Sequence, residues 1–163
     1  MSFGTTYRDQ LNTIMRAVRY NLARITVANG FRTTVVLVHD RDAPIRPGSY
    51  TGPIIKVTDL EDVESYRPGQ EAWSDLRYDV EGFLPNKADG TLRTALRAFA
   101  EDFVAAHYGD VYLAAADLAN GGSGSRLVGR HRINKIVRQY VFPNGYFRAE
   151  VACQFLWNTG ATT

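Results

Sequence analysis

Cysteine, histidine and net charge are scarce in this chain: one cysteine, three histidines and a formal charge of +2 at pH 7. Each scarcity removes a class of function. A single cysteine, Cys153, forms no intrachain disulfide and supplies no multi-cysteine zinc framework, so synthesis in a reducing compartment, the cytoplasm, is expected. His39, His107 and His131 are scattered and make neither an H-x-x-x-H nor an H-E-x-x-H pattern, so no metal centre is expected. His39 beside Asp40 and Asp42 lacks a further patterned ligand and is read as part of a solvated turn. The small net charge argues against a strongly basic nucleic-acid binder, whose affinity comes from neutralising many phosphates at once. No run reaches the roughly 18 apolar residues of a membrane-spanning helix. The segment Met1–Gln10 holds no apolar stretch of the signal-peptide kind.

Catalytic signatures are missing as well. No G-x-S-x-G elbow occurs, and the glycines of Asn120–Ser125 neither lead into a Gly-Lys-Ser/Thr helix start nor follow a strand at the head of a βαβ unit. Cys153 falls on the apolar face of a strand pattern, as a small core residue does. The acidic run Asp59, Glu61, Asp62 and Glu64 lacks the EF-hand spacing with its central glycine. The expectation is a protein without catalytic residues, cofactor or metal.

What is present is an ordinary globular composition. The chain has 163 residues, 45% hydrophobic and 22% charged, which fits one domain over residues 1–163 with a core of its own. Leu11, Ile14, Met15, Val18, Leu22 and Ile25 recur at steps of three and four and predict a helix from Tyr7 to Ala28, stopped by Asn29-Gly30. Thr33–His39 and Ile54–Thr58 are rich in β-branched residues and predict strands. The segments Asp40–Thr51 and Asp59–Ser74 carry no helix or strand signal and predict long loops. Leu76–Leu84 alternates as a half-buried strand, and Leu92–Tyr108 is a second amphipathic helix. Asp110–Ala119 fits a short helix or a strand equally well, and Asn120–Ser125 is flexible by composition.

Two strand-like arms, Arg132–Phe142 and Tyr146–Trp157, flank Pro143-Asn144-Gly145 and predict a long hairpin. On the second arm Phe147, Ala149, Val151, Cys153, Phe155 and Trp157 share one face. On the first, Ile133, Val137 and Val141 are expected to oppose Ile136, Arg138 and Tyr140. The order of elements predicts an α+β fold: a mixed, mostly antiparallel sheet, two main helices packed on one face, and a long C-terminal β-hairpin.

The remaining features are contact features. Nine tyrosines and two tryptophans exceed the needs of one small core, and such residues are favoured at interfaces. Basic residues cluster at Arg126, Arg130, His131, Arg132, Lys135 and Arg138. They read either as an electrostatic surface for an acidic partner or nucleic acid, or as a strand edge kept soluble by charge. The candidate interface residues are Arg126, Arg130 and Arg132, the acidic Asp59, Glu61, Asp62 and Glu64, and the aromatic Tyr66 and Trp73.

Several of these segments together resemble a known family. They are the Val27–Phe31 corner after the first helix, the strand Thr34–Val38, the proline-bounded acidic strand Gly52–Glu64, and the Arg-x-x-Val-Glu-Gly strand Arg77–Gly82. A helix with Leu92, Leu96 and Asp102 follows, then the alternating strand Tyr146–Trp157. From Tyr7 to Asn158 the chain resembles the tail terminator, or tail-completion, proteins of long-tailed bacteriophages, with the Asn120–Ser125 segment and the extended hairpin as departures. The resemblance implies a structural virion protein, made in the host cytoplasm, that forms a homohexameric ring at the head-proximal end of the tail. Its partners would be the major tail tube protein on one side and the head–tail connector or stopper on the other. Genome DNA would pass through the lumen without sequence-specific binding. The alternatives are another neck or tail protein, such as a stopper or tube subunit, and a small enzyme or ligand-binding domain with a site under Asp59–Ser74.

Overall fold

The structure, a computed structural model, describes residues 6–39, 50–63, 71–85, 87 and 89–158. Helix α1 spans Tyr7–Ala23. The Thr6 hydroxyl oxygen accepts the Asp9 N–H at 3.1 Å and so satisfies one of the unpaired donors of the first turn. The stripe Ile14, Met15, Val18 and Leu22 is buried. The helix ends at Ala23 rather than at Ala28. Ile25, Thr26 and Val27 are β-branched in succession, and Thr26 instead caps a 3-10 turn, Val27–Asn29, by accepting the Asn29 N–H. Gly30, at φ +91°, closes that turn in the left-handed region.

The strand expected over Thr33–His39 is confined to β1, Leu37–His39. The residues before it find other partners: the Thr33 N–H donates to the Asp102 carboxylate at 2.7 Å and the Val35 N–H to the Ile25 carbonyl at 2.8 Å. The expected loop Asp40–Thr51 lies mostly outside the described residues. Strands β2, Ile54–Val63, and β3, Glu71–Leu84, correct the loop expected over Asp59–Ser74. Both strands run into it, with Glu61, Asp62 and Val63 paired to Arg77, Leu76 and Asp75. A backbone ladder holds this outer end without a continuous apolar face, so no alternation marks it in the sequence.

Helix α2, Leu92–Gly109, follows, then the short α3, Ala114–Ala119, so that the segment Asp110–Ala119 is a turn leading into a helix and not a strand. The Asp110 carboxylate accepts the Ala115 and Ala116 N–H groups at 3.1 and 2.9 Å. The glycine-rich segment after α3 wraps Asp117, whose backbone and side-chain oxygens accept the Gly122 and Gly124 N–H groups. Strands β4, Gly129–Val141, and β5, Asn144–Asn158, form the C-terminal hairpin. Its turn is Phe142–Pro143, joined by a cis peptide bond, and Asn144 and Gly145 already belong to the ladder.

Among the described residues five strands form one mixed sheet in the order β1-β2-β3-β5-β4, parallel between β1 and β2 and antiparallel at the other pairings. This is the expected α+β class. Inward-facing Ile55, Val57, Leu76, Tyr78, Val80, Phe147, Val151 and Phe155 form a single core with the buried residues of α1 and α2. Phe147 sits at its centre, with its ring centroid 5.0 Å from Phe99 and 5.7 Å from Phe103. Bulges in β4, near Arg130–His131 and at Asn134, change the expected faces of that strand. Ile133, Ile136 and Tyr140 all pack on the core, while Val137 and Val141 share a hollow on the other side with Phe83 and Tyr146.

Candidate interaction surface

With α1 and α2 on one face, the other face of the sheet carries the polar half of each strand's alternation. Asp75, Arg77, Asp79 and Glu81 of β3 lie beside Gln154, Ala152, Glu150 and Arg148 of β5 in register. Arg148 donates to Asp79 at 3.2 Å and to Glu150 at 3.3 Å, and Gln154 donates to Asp75 at 3.0 Å. Arg148 bridges the like-charged pair Asp79 and Glu150, and the network keeps this face, which no described helix covers, compatible with water. Toward the hairpin turn the face becomes apolar: Val141 and Phe142 are 66% and 67% exposed.

At the opposite end the bulge near Arg130 opens a cleft of about 420 Å³ between β3, β5 and β4. Asp75, Arg77, Arg130, Arg132, Asn134 and Gln154 line it. Arg130 sits at φ +48°, an unusual left-handed position for a residue with a side chain. That conformation turns Arg130 and Arg132 to the outer face and leaves His131 buried on the inner one. Arg132 is held by its Nε–H, which donates to the Asn134 side-chain oxygen at 3.0 Å. Trp73, 56% exposed, lies at the same end, with its ring within 4 Å of where a side chain on Gly129 would begin.

The structure thus divides the residues that sequence had grouped. Arg130 and Arg132 meet in the cleft, joined by Arg77, which the alternation of β3 had already put on the polar face. Arg126 is not among its lining residues; its guanidinium stacks 4.3 Å from the Tyr112 ring centroid. His131 leaves the basic cluster altogether. Asp59 is exposed on β2, Glu61 and Asp62 follow it on the same strand, and Glu64 and Tyr66 lie outside the described residues.

The histidines were unremarkable in sequence, yet two of them meet in the core. The His107 and His131 rings are 4.2 Å apart, brought together by α2 and β4. The Val111 carbonyl, 2.6 Å from His131 Nδ1, fixes the proton on that nitrogen and leaves Nε2 to accept from the Tyr78 hydroxyl. His107 Nε2 donates to the His131 carbonyl at 3.4 Å. Burial pushes His107 down to about 4, and burial together with its neighbour pushes His131 down to about 3, so both are neutral at pH 7. Burial also lifts the Cys153 thiol to about 12, which keeps it from acting as a thiolate. Among the described residues no group of three or more His, Cys, Asp or Glu side chains is placed to hold a metal ion. Among the described residues no helix is long and apolar enough to cross a membrane.

No protein-family model matches the chain, and no curated protein matches its sequence.

Proposed function

We propose that this chain is a structural assembly protein of a long-tailed bacteriophage, a tail terminator. Six copies form a ring that caps the finished tail tube, ends its polymerisation and receives the head connector or stopper on the opposite side. Two things support this: the resemblance in order and character of the segments from Tyr7 to Asn158, and the one-sided layering of the fold. The layering is the observation that carries it. The described helices bury their apolar surface on one side of the sheet, and the other face, with the Arg130–Arg132 cleft at one end and exposed Val141 and Phe142 at the other, is covered by no described element and is available to meet other chains. Surfaces of mixed charge with exposed aromatic and apolar anchors are what protein partners bury.

The test is addition of the purified chain to polymerising tail tubes, viewed by electron microscopy. A terminator yields tubes of limited length, capped at one end by a ring. A chain that extends into filaments or stacks ring on ring is a tube subunit instead. Tubes that grow uncapped in its presence contradict the proposal.

A further inference from the structure

The cleft on the outer face of the sheet gathers three guanidinium groups, those of Arg77, Arg130 and Arg132, around about 420 Å³. That volume falls within the roughly 300–1,000 Å³ of small-molecule sites. Asp75 is the one acid among the described lining residues, and Gln154 Nε2 donates to it at 3.0 Å. Among the described residues neither Arg130 nor Arg132 makes an ion pair with a carboxylate. The backbone sets these two side chains in place. Arg130 holds φ +48° within the β4 bulge, a strained conformation for a residue with a Cβ, kept by the ladder at Gly129 and Arg132 on either side. Arg132 is fixed through its Nε–H, which donates to Asn134 Oδ1 at 3.0 Å and leaves its terminal nitrogens and the Asn134 amide N–H groups available to donate.

One carboxylate is satisfied by one arginine through two parallel hydrogen bonds. Two positioned guanidinium groups and an amide donor around one hollow suit an anion with more oxygens and more charge, a terminal phosphate. The surroundings favour a small phosphate over a nucleic-acid strand. Toward the hairpin the same face carries Asp79, Glu81 and Glu150; Arg148 is bonded to two of these and Lys135 stands in register with Glu150. The excess of positive charge on this face is therefore local to the cleft, and a phosphate backbone running on from it would meet acids. Away from the hairpin stands Trp73, 56% exposed and on the same face of β3 as Asp75 and Arg77. Its ring lies within 4 Å of where a side chain on Gly129, the residue before Arg130, would begin. An exposed indole beside a phosphate site is a platform for a flat ring.

We propose that this cleft binds a small phosphomonoester that carries a flat ring, of the nucleoside monophosphate class. Arg130, Arg132 and Asn134 hold the phosphate, and Trp73 stacks on the ring. The site lies within one chain, so it stands independently of the ring and the tail in the proposed function.

Calorimetric titration of the full chain with adenosine monophosphate, with inorganic phosphate and with a thymidine oligonucleotide tests it. Tryptophan fluorescence gives a second readout, since Trp73 is exposed and Trp157 is buried. Adenosine monophosphate is expected to bind and to quench Trp73, and inorganic phosphate to compete with it at lower affinity. Arg132→Gln is expected to weaken both ligands about tenfold or more, the usual cost of losing hydrogen bonds from a charged donor. Trp73→Ala is expected to weaken adenosine monophosphate about fivefold or more and to leave inorganic phosphate unchanged. Arg130→Gly removes a guanidinium group and relieves the left-handed strain, so it keeps the fold, as circular dichroism would confirm, and weakens both ligands as Arg132→Gln does. No binding of adenosine monophosphate, or binding that survives both arginine substitutions, overturns the proposal. So does adenosine monophosphate that binds no more tightly than inorganic phosphate. An oligonucleotide that binds more tightly than the mononucleotide, with affinity rising with its length, marks a general polyanion surface and overturns it as well.

Discussion

At the scale of single residues, Gly82 shows how a small side chain is fixed by its neighbour. A Cβ built on it would lie 2.0 Å from the Phe147 ring, directly across the β3–β5 ladder. Phe147 is hemmed in by Phe99 and Phe103 and has nowhere to swing. Gly82→Ala is therefore expected to destabilise the fold by about 1–3 kcal/mol, the usual range for overpacking a closed core. Urea denaturation measures it, and a neutral or stabilising result would mean that the ring moves freely. Asp102 has a comparable local task, since its carboxylate accepts the backbone N–H groups of Arg32 and Thr33 and ties the approach to β1 onto α2. Both residues stood out in the sequence only as letters of a pattern. The contacts that explain them come from chain segments far away in sequence.

At the scale of elements, His107 and His131 fasten α2 to β4, with Tyr78 of β3 and the Val111 carbonyl as their partners. Both histidines are held below their ordinary value, so the folded state stays neutral where the unfolded chain takes up protons. The stability this represents is complete above about pH 6.5 and is lost as pH falls toward the folded values near 4 and 3. Between pH 6.5 and 5, before most carboxylates titrate, stability is expected to fall with a slope approaching about 1.4 kcal/mol per pH unit for each histidine. Urea midpoints across that interval test it. A flat profile would place the histidines in contact with water.

The elements also mark where sequence stops being informative. Helices α1 and α2 and strands β3 and β5 were legible because each buries one face, and burial writes its period into the chain. The outer ends of β2 and β3 were not, since the acidic run there breaks that period. The faces of β4 were misassigned for a different reason. A bulge adds a residue to one strand, and nothing in Arg130-His131-Arg132 or Asn134 announces it, so Ile133 and Ile136 came to the same side. The grouping of Arg130 and Arg132 survived this, but His131 between them did not. The early end of α1 was within reach, because Ile25-Thr26-Val27 is a poor helical run with a capping residue at its centre.

At the scale of the whole molecule, the fold is asymmetric in a way that favours assembly. One side of the sheet is sealed by helices, and the other keeps a charged lattice, a basic cleft and exposed apolar residues. The central claim of the proposed function is that copies of this chain close into a ring of six. Sedimentation velocity of the wild-type chain over a range of concentrations tests this most directly. The account predicts one closed species of six chains that grows no further as concentration rises. A chain that remains monomeric throughout, or one that adds subunits without limit, would contradict it.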